Sequence, residues 1–358
     1  MDMGRWWMPL VGPRRRTLSV DLVLNLAMAM GLLVLAQVEQ SVQLRSTHPM
    51  HGVVDRVNEN AGPYIGLVMA YPTEELALQT SGRRFNIGTI NGVDVISVMT
   101  GEQTLNAGIT VQILLDAFEI QGIVHYGTAG TANDSLNLGD VSVPSYVALT
   151  GSWKWKKWPY SSIDSYGSID HFPLVQEFKS AEGHLTELKF GAFNFPETGE
   201  NLLAKIDFTP QQLYSVGKPM EEVFWLQIEP KLFDMATKLQ DLKLQQCINE
   251  TYCLPEAPQV VYGLRGSTAD IYLDNAAYRK FLFKELNVST VDEESAAIVM
   301  TSLSNGVPCI VFRGVSDLAG GEEKLSSTSL SSLAAVNALT VAVAFIELSG
   351  EEAAVKDH

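Results

Sequence analysis

Asp292-Glu293-Glu294-Ser295-Ala296-Ala297-Ile298, then Gly306-Val307-Pro308, then Cys309-Ile310-Val311-Phe312-Arg313-Gly314-Val315-Ser316-Asp317-Leu318-Ala319, is the stretch on which the fold turns. The spacing of apolar residues predicts a helix over Glu294 to Leu303, and the run Cys309 to Val315 predicts a strand. The same alternation continues on either side. Gln259 to Leu264 reads as a strand, Ala276 to Leu286 as a helix, and Leu330 to Leu348 as a closing helix.

Nearer the N-terminus, Tyr64-Ile65-Gly66-Leu67-Val68-Met69-Ala70 is an unbroken apolar run bounded by turn residues, as in a strand covered on both faces. Arg84 to Ile90 and Val93 to Thr100 flank Asn91-Gly92, a strong short-range hairpin signal. Leu105 to Ile120 has helical spacing, and Gly122 to Tyr126 follows as a strand. Strand and helix alternating in this way call for crossover connections. The expected fold class is therefore α/β, with a mixed, largely parallel central sheet flanked by helices. The domain is expected over residues 63–350, with a longer irregular insertion at about 151–258. The insertion holds Trp153, Trp155 and Trp158 among lysines, and a helical segment near Phe233 to Leu244.

With 358 residues, 46% of them hydrophobic, the chain can bury a large core, which excludes a disordered or fibrous protein. A net charge of −16, spread over many short clusters, repels nucleic-acid backbones and anionic membranes. A polymeric nucleic-acid partner is thereby excluded. A single uncharged nucleoside is not.

Residues 1–36 read as a targeting segment: Arg14 to Arg16 precede an uncharged run from Leu22 to Val38, and Val34-Leu35-Ala36 offers small-residue cleavage geometry. A cleaved signal peptide is expected, with an uncleaved signal anchor, the one membrane contact foreseen, as the alternative. Residues 37–62 have linker composition. Sequons at Asn133, Asn249 and Asn287 are candidate glycosylation sites of a protein on the secretory route, bound for the cell exterior or a vacuole. Cys247 and Cys253 have a spacing that a short loop disulfide closes in an oxidising compartment. Cys309 reads as a small buried apolar side chain. No His and Cys cluster has metal-ligand spacing, so neither a metal nor another cofactor is expected.

Three segments together resemble the nucleoside phosphorylase/hydrolase superfamily, especially its 5′-methylthioadenosine/S-adenosylhomocysteine nucleosidase branch, and also the plant bark and vegetative storage proteins built on that fold. They are Ile65 to Glu74, then Tyr126-Gly127-Thr128-Ala129-Gly130 with Leu138 to Val143, and the stretch from Asp292 to Ala319. Cleaving a nucleoside at C1′ builds an oxocarbenium-like sugar and leaves negative charge on the departing base. The resemblance implies that Asp317, just past its strand, protonates the base, and that Glu74 activates water from the opposite face. Glu294 would hold the ribose diol. Backbone amides of a Gly127, Thr128, Ala129, Gly130 loop would approach the substrate closely. Ser316 is carried over with Asp317, while Ile271 and Tyr272 are the candidates for stacking on the base. Taken singly, these carboxylates also read as caps or as solvated first helical turns; their order and settings together carry the resemblance.

Two departures from the family pattern bear on activity. Glu293 stands where relatives carry Met, next to Glu294 in the substrate-binding group, where a second carboxylate clashes or raises a pKa. Thr100-Gly101-Glu102-Gln103 replaces a small, glycine-rich turn. Phosphorylases of the superfamily place an arginine two residues before the Gly127-type glycine, and here that residue is His125. Without a guanidinium for phosphate, water is the expected nucleophile. The alternative is a storage protein that keeps the fold without catalysis. A homo-oligomer is expected because relatives complete their sites across an interface.

Overall fold

The computed structural model describes residues 57–59, 62–70, 85–156, 187–188, 205–321 and 327–356. The chain divides into two units, 1–59 and 60–358, and the second contains the fold described below.

Its main sheet has nine strands: β1 (Tyr64–Met69), β2 (Phe85–Ile90), β3 (Val93–Met99), β4 (Ile120–Thr131), β5 (Val141–Leu149), β6 (Leu226–Gln227), β7 (Val260–Thr268), β8 (Thr290–Asp292) and β9 (Cys309–Leu318). The path runs β6-β5-β7-β8-β4-β1-β3-β2, and β9 pairs with both β4 and β5. β1 lies parallel to β3 and β4, β5 to β7, β7 to β8, and β4 to β9. The expected mixed, largely parallel α/β sheet is the one found. Because β8 pairs antiparallel with β4, and β9 antiparallel with β5, the pairings β4-β8-β7-β5-β9-β4 close a ring. Closure leaves these strands no free edge, with β5, β7 and β8 running one way and β4 and β9 the other.

Among the described residues, five helices support the sheet: α1 (Thr104–Ala117), α2 (Pro230–Ala236), α3 (Ala276–Leu286), α4 (Ser295–Asn305) and α5 (Ser327–Lys356). The hairpin turn is Asn91-Gly92, with φ of 49° and 84°, the left-handed pair that a two-residue turn demands. α1 ends at Ala117, short of the expected Ile120, because Phe118 is extended and Ile120 already begins β4. The helix expected near Phe233 to Leu244 is the shorter α2 followed by a single 3₁₀ turn, Thr237–Leu239. β7 runs four residues beyond Leu264, held along its length by β5.

Over Leu330–Ala354, α5 is apolar and long enough to cross a bilayer by composition. Here it is a core helix: Leu333, Ala334, Ala338, Val341 and Ala342 are buried, and it lies along β9. Contact is so close that a Cβ on Gly314 would stand 2.1 Å from the Ala334 carbonyl oxygen, so only glycine fits there. Asn337 of α5 ties down the far end of the sheet by donating to the Gly139 carbonyl at 2.9 Å and accepting from the Gln245 N–H at 2.8 Å.

Candidate active site

The ends of β7 and β8 meet the N-termini of α1 and α4, and a buried arginine in the middle of β9 joins them. Arg313 of β9 is 1% exposed. Its Nε lies 3.2 Å from Asp292 Oδ2 and donates to Ser295 Oγ at 2.8 Å. Nη1 donates to the Thr128 carbonyl at 3.1 Å, and Nη2 to Glu294 Oε2 at 3.1 Å. Asp292 also accepts from Thr268 Oγ1 and from the backbone N–H groups of Glu294 and Ser295. Burial alone would raise the Asp292 carboxyl; the Arg313 charge and these hydrogen bonds outweigh it and hold its pKa below the usual range.

Glu294 is buried and clasped from its other side, where Oε1 accepts the Gln103 N–H at 3.0 Å. Asp270 accepts the next amide, Thr104 N–H, at 2.8 Å and the Thr104 hydroxyl at 2.9 Å. Two carboxylates thus sit on the positive end of α1. The turn that brings them there puts Gln103 at φ 75°, ψ 161°, a region that side chains other than glycine's rarely enter. The Thr100 to Gln103 segment therefore departs from the glycine-rich family pattern in sequence while adopting a glycine-like conformation. Glu293 has a raised pKa, through burial first and then the charges of Glu102, Asp270 and Asp292.

Asp317 is reached differently. Val315 faces Ala129 and Asp317 faces Gly130, so Ser316 is an extra residue, a bulge of the kind that re-aims side chains beside functional sites. Asp317 belongs to β9 itself rather than following it. Ser316 Oγ lies 3.2 Å from the Ala129 carbonyl and 2.5 Å from Asp317 Oδ1, one hydroxyl hydrogen serving two acceptors. Gly130 leaves room for this: a Cβ there would be 3.3 Å from Asp317 Oδ2 and 3.2 Å from Ala319 Cβ.

Asp317 and Ser316 line a cavity of about 720 Å³, within the range of small-molecule sites, whose walls include Tyr272, Leu273, Thr131 and Arg279. Tyr272 is 78% exposed, and its hydroxyl pKa is raised first by Asp317, then by burial, Asp274 and Glu293. Tyr272 thus lines the Asp317 cavity and feels the charge of Glu293 as well. Ile271 lines a separate cavity of about 360 Å³ with Thr104, Asp270 and Trp153, so the two stacking candidates face different spaces. Gly127 to Gly130 is not a loop. These residues lie inside β4 with their ladder positions opposite β9, and the parts nearest the site are the Thr128 and Ala129 carbonyls, which accept from Arg313 and Ser316.

Glu74 lies outside the described residues. Asn249 and Asn287 are exposed and Asn133 is half-buried; Asn287 closes α3 in the left-handed conformation, φ 55°. Cys247 and Cys253 face each other across a short antiparallel pair and form a disulfide. Cys309 is buried, which pushes its thiol up to about 12 and leaves it unreactive.

Sequence reasoning gave no role to Arg313, Asp292, Thr268 or Ser295. The signal was an arginine inside the apolar run of β9: a charge in a buried strand must be neutralised by carboxylates nearby.

The family model described as the phosphorylase superfamily matches residues 52–188 and 206–347, and the chain belongs to that superfamily. It is 38% identical to bark storage protein A of Populus deltoides over 326 residues, covering 86% of this chain and 96% of that one. It is 21% identical to a 5′-methylthioadenosine/S-adenosylhomocysteine nucleosidase of Halalkalibacterium halodurans over 263 residues, 73% of this chain and 84% of that one. Among solved structures, the same kind of nucleosidase from Colwellia psychrerythraea, in complex with adenine, shares the fold with a TM-score of 0.52 at 19% identity, covering 80% of this chain and 95% of that chain.

His125 of β4 is fully buried, with Nδ1 2.9 Å from the Val68 carbonyl and Nε2 without a partner among the described residues. Since a carbonyl only accepts, Nδ1 carries the hydrogen. Burial and then the Arg313 charge, against weaker opposing effects of Val68 and Asp292, lower its pKa to about 3 from 6.5. Between those values the unfolded chain binds a proton that the folded chain refuses. Stability is therefore full above pH 6.5 and declines as pH falls toward 3. From about pH 7 to about pH 5 the loss from this group is roughly 2 kcal/mol. His125→Asn keeps a donor toward Val68 and does not titrate. Urea unfolding at the two pH values is expected to show a difference smaller by that amount in the variant; an unchanged pH dependence would count against a neutral His125.

Proposed function

We propose that this chain hydrolyses the N-glycosidic bond of a purine-type nucleoside. The observation that carries the reading is Asp317, a carboxylate turned by the Ser316 bulge into a nucleoside-sized cavity that has Tyr272 on its wall. In this reading Asp317 protonates the departing base and Tyr272 packs on it. Glu294, held rigid by Arg313 and the Gln103 amide, offers its remaining lone pairs to the ribose hydroxyls. Glu74 is proposed as the base toward water. His125 supports water over phosphate as the nucleophile: it is neutral and buried where phosphorylases carry an arginine. A second reading, a storage protein without turnover, is favoured by the 38% identity to bark storage protein A.

Purified protein is expected to release free base from a purine nucleoside at a rate indifferent to added phosphate, and Asp317→Asn to lower that rate by about 10²- to 10⁴-fold. A loss well below tenfold would refute the acid role. Formation of ribose 1-phosphate would establish phosphorolysis, and no release from any common nucleoside would establish the storage reading.

We also propose a secretory protein whose residues 1–36 are removed. The Cys247–Cys253 disulfide and the exposed Asn249 and Asn287 sequons support this. N-terminal sequencing of protein from its native source should begin beyond the apolar run. A chain starting at Met1 and extracted only by detergent would mean an anchor.

The oligomer we propose is a pairing of identical chains through α1. Leu105, Ile109 and Ile113 are 72%, 41% and 41% exposed and lie one above another on that helix, beginning two residues after the strained Gln103. Sedimentation should find a dimer or larger assembly, and Ile109→Glu should shift it toward monomer. A wild-type monomer at micromolar concentration would exclude the assembly.

A further inference from the structure

Arg279, on α3, is a buried cation that the mechanism above does not use. It is 5% exposed. Its Nη2 lies 3.7 Å from Asp134, a carboxylate 76% exposed, while Nε and Nη1 are shielded from solvent and meet no acceptor among the described residues. A guanidinium cannot shed its charge, so such N–H groups are kept only where something supplies an acceptor. The side chain lines the same cavity as Asp317 and Ser316, beside Lys280.

The character of that acceptor follows from the other walls. Asp134, Asp274 and Asp317 face the cavity and outnumber its two cations, Arg279 and Lys280, so the lining is net negative and opposes a phosphate or any other dianion. A neutral oxo group is not opposed, and it accepts N–H. A 6-aminopurine would instead turn an N–H donor toward the guanidinium.

We propose that Arg279 is a specificity-determining residue that receives the oxo group of a 6-oxopurine, so that the substrate class is inosine-like rather than adenosine-like. This rests on the nucleosidase reading and deepens it. When the C1′–N9 bond breaks, its electron pair passes to the base. Asp317 gives its proton to a ring nitrogen, water oxygen bonds to C1′, and the water proton passes to the general base. In a 6-oxopurine the charge gathering on the base reaches the oxo oxygen, where the Arg279 N–H groups stabilise it.

The test compares kcat/KM for base release from inosine and adenosine, in wild type and in Arg279→Gln. Wild type should favour inosine by about tenfold or more, and the variant should bring the ratio close to one. A wild-type preference for adenosine, or a ratio unchanged by the substitution, would overturn the proposal. Calorimetric binding of free hypoxanthine and adenine gives a second readout that needs no turnover. Should no nucleoside be cleaved, tighter hypoxanthine binding that Arg279→Gln abolishes would sustain the subsite while refuting the nucleosidase reading; equal binding of the two bases would refute the subsite. If Arg279→Gln fails to fold, Arg279→Lys keeps the charge but not the planar guanidinium, and a wild-type preference that survives it undiminished in both assays would overturn the assignment.

Discussion

A guanidinium in the middle of a buried strand has to be neutralised where it stands, and much of this molecule is arranged around that requirement. Arg313 belongs to β9, the strand that closes the ring between β4 and β5. Its partners come from the end of β8 (Asp292), the start of α4 (Glu294, Ser295) and the backbone of β4 (Thr128). Each partner is anchored in turn, Asp292 by Thr268 of β7 and Glu294 by the Gln103 amide at the N-cap of α1. One buried charge therefore fixes the relative placement of four strands and two helix N-termini. Removing one member of such a cluster leaves the others buried and uncompensated, a loss of about 3–5 kcal/mol.

The same arrangement decides where chemistry is possible. The cluster holds β9 rigid as far as Arg313, and three residues later the strand takes on an extra residue at Ser316. Asp317 therefore leaves a fixed base in a new direction. Its hydrogen bond from Ser316 is local, and Gly130 opposite keeps the space clear. A carboxylate in this position is oriented by the strand rather than by a loop, which holds its direction firmly.

Much of this was legible in the sequence. Apolar runs and Asn91-Gly92 identify the strands and the hairpin because burial and turn sterics act locally. The carboxylates Glu294 and Asp317 could be picked out because they lie at strand and helix boundaries within a familiar order. What was not legible depends on pairing between distant segments. Gly127 to Gly130 looks like a loop because glycine is rich in turns, yet β9 and β8 hold it as strand. The Ser316 bulge exists only relative to β4, and one position of slippage separates a residue that faces the cavity from one that faces the core. Arg279 looks like a solvated helical cation, and only the packing of α3 against the cavity makes it buried.

Retention of a residue for folding and retention for chemistry can be separated by asking what each feature does for stability. Arg313, Asp292 and Glu294 neutralise one another, so a protein that had lost all activity would still need them, and their presence does not argue for catalysis. Gln103 and Arg279 are different. The first holds a non-glycine residue in a glycine conformation, which costs about 1–3 kcal/mol, and the second buries N–H groups that meet no acceptor among the described residues. Arg279 gains only the long contact to Asp134, while Gln103 recovers part of its strain through the amide it lends to Glu294. Both border the spaces reached by Glu294 and Asp317, and a ligand that accepts from Arg279 would remove its part of the cost on binding. Stability given up beside a cavity is the pattern of a site that holds a small molecule, and it bears on the pocket rather than on whether the molecule held there is turned over.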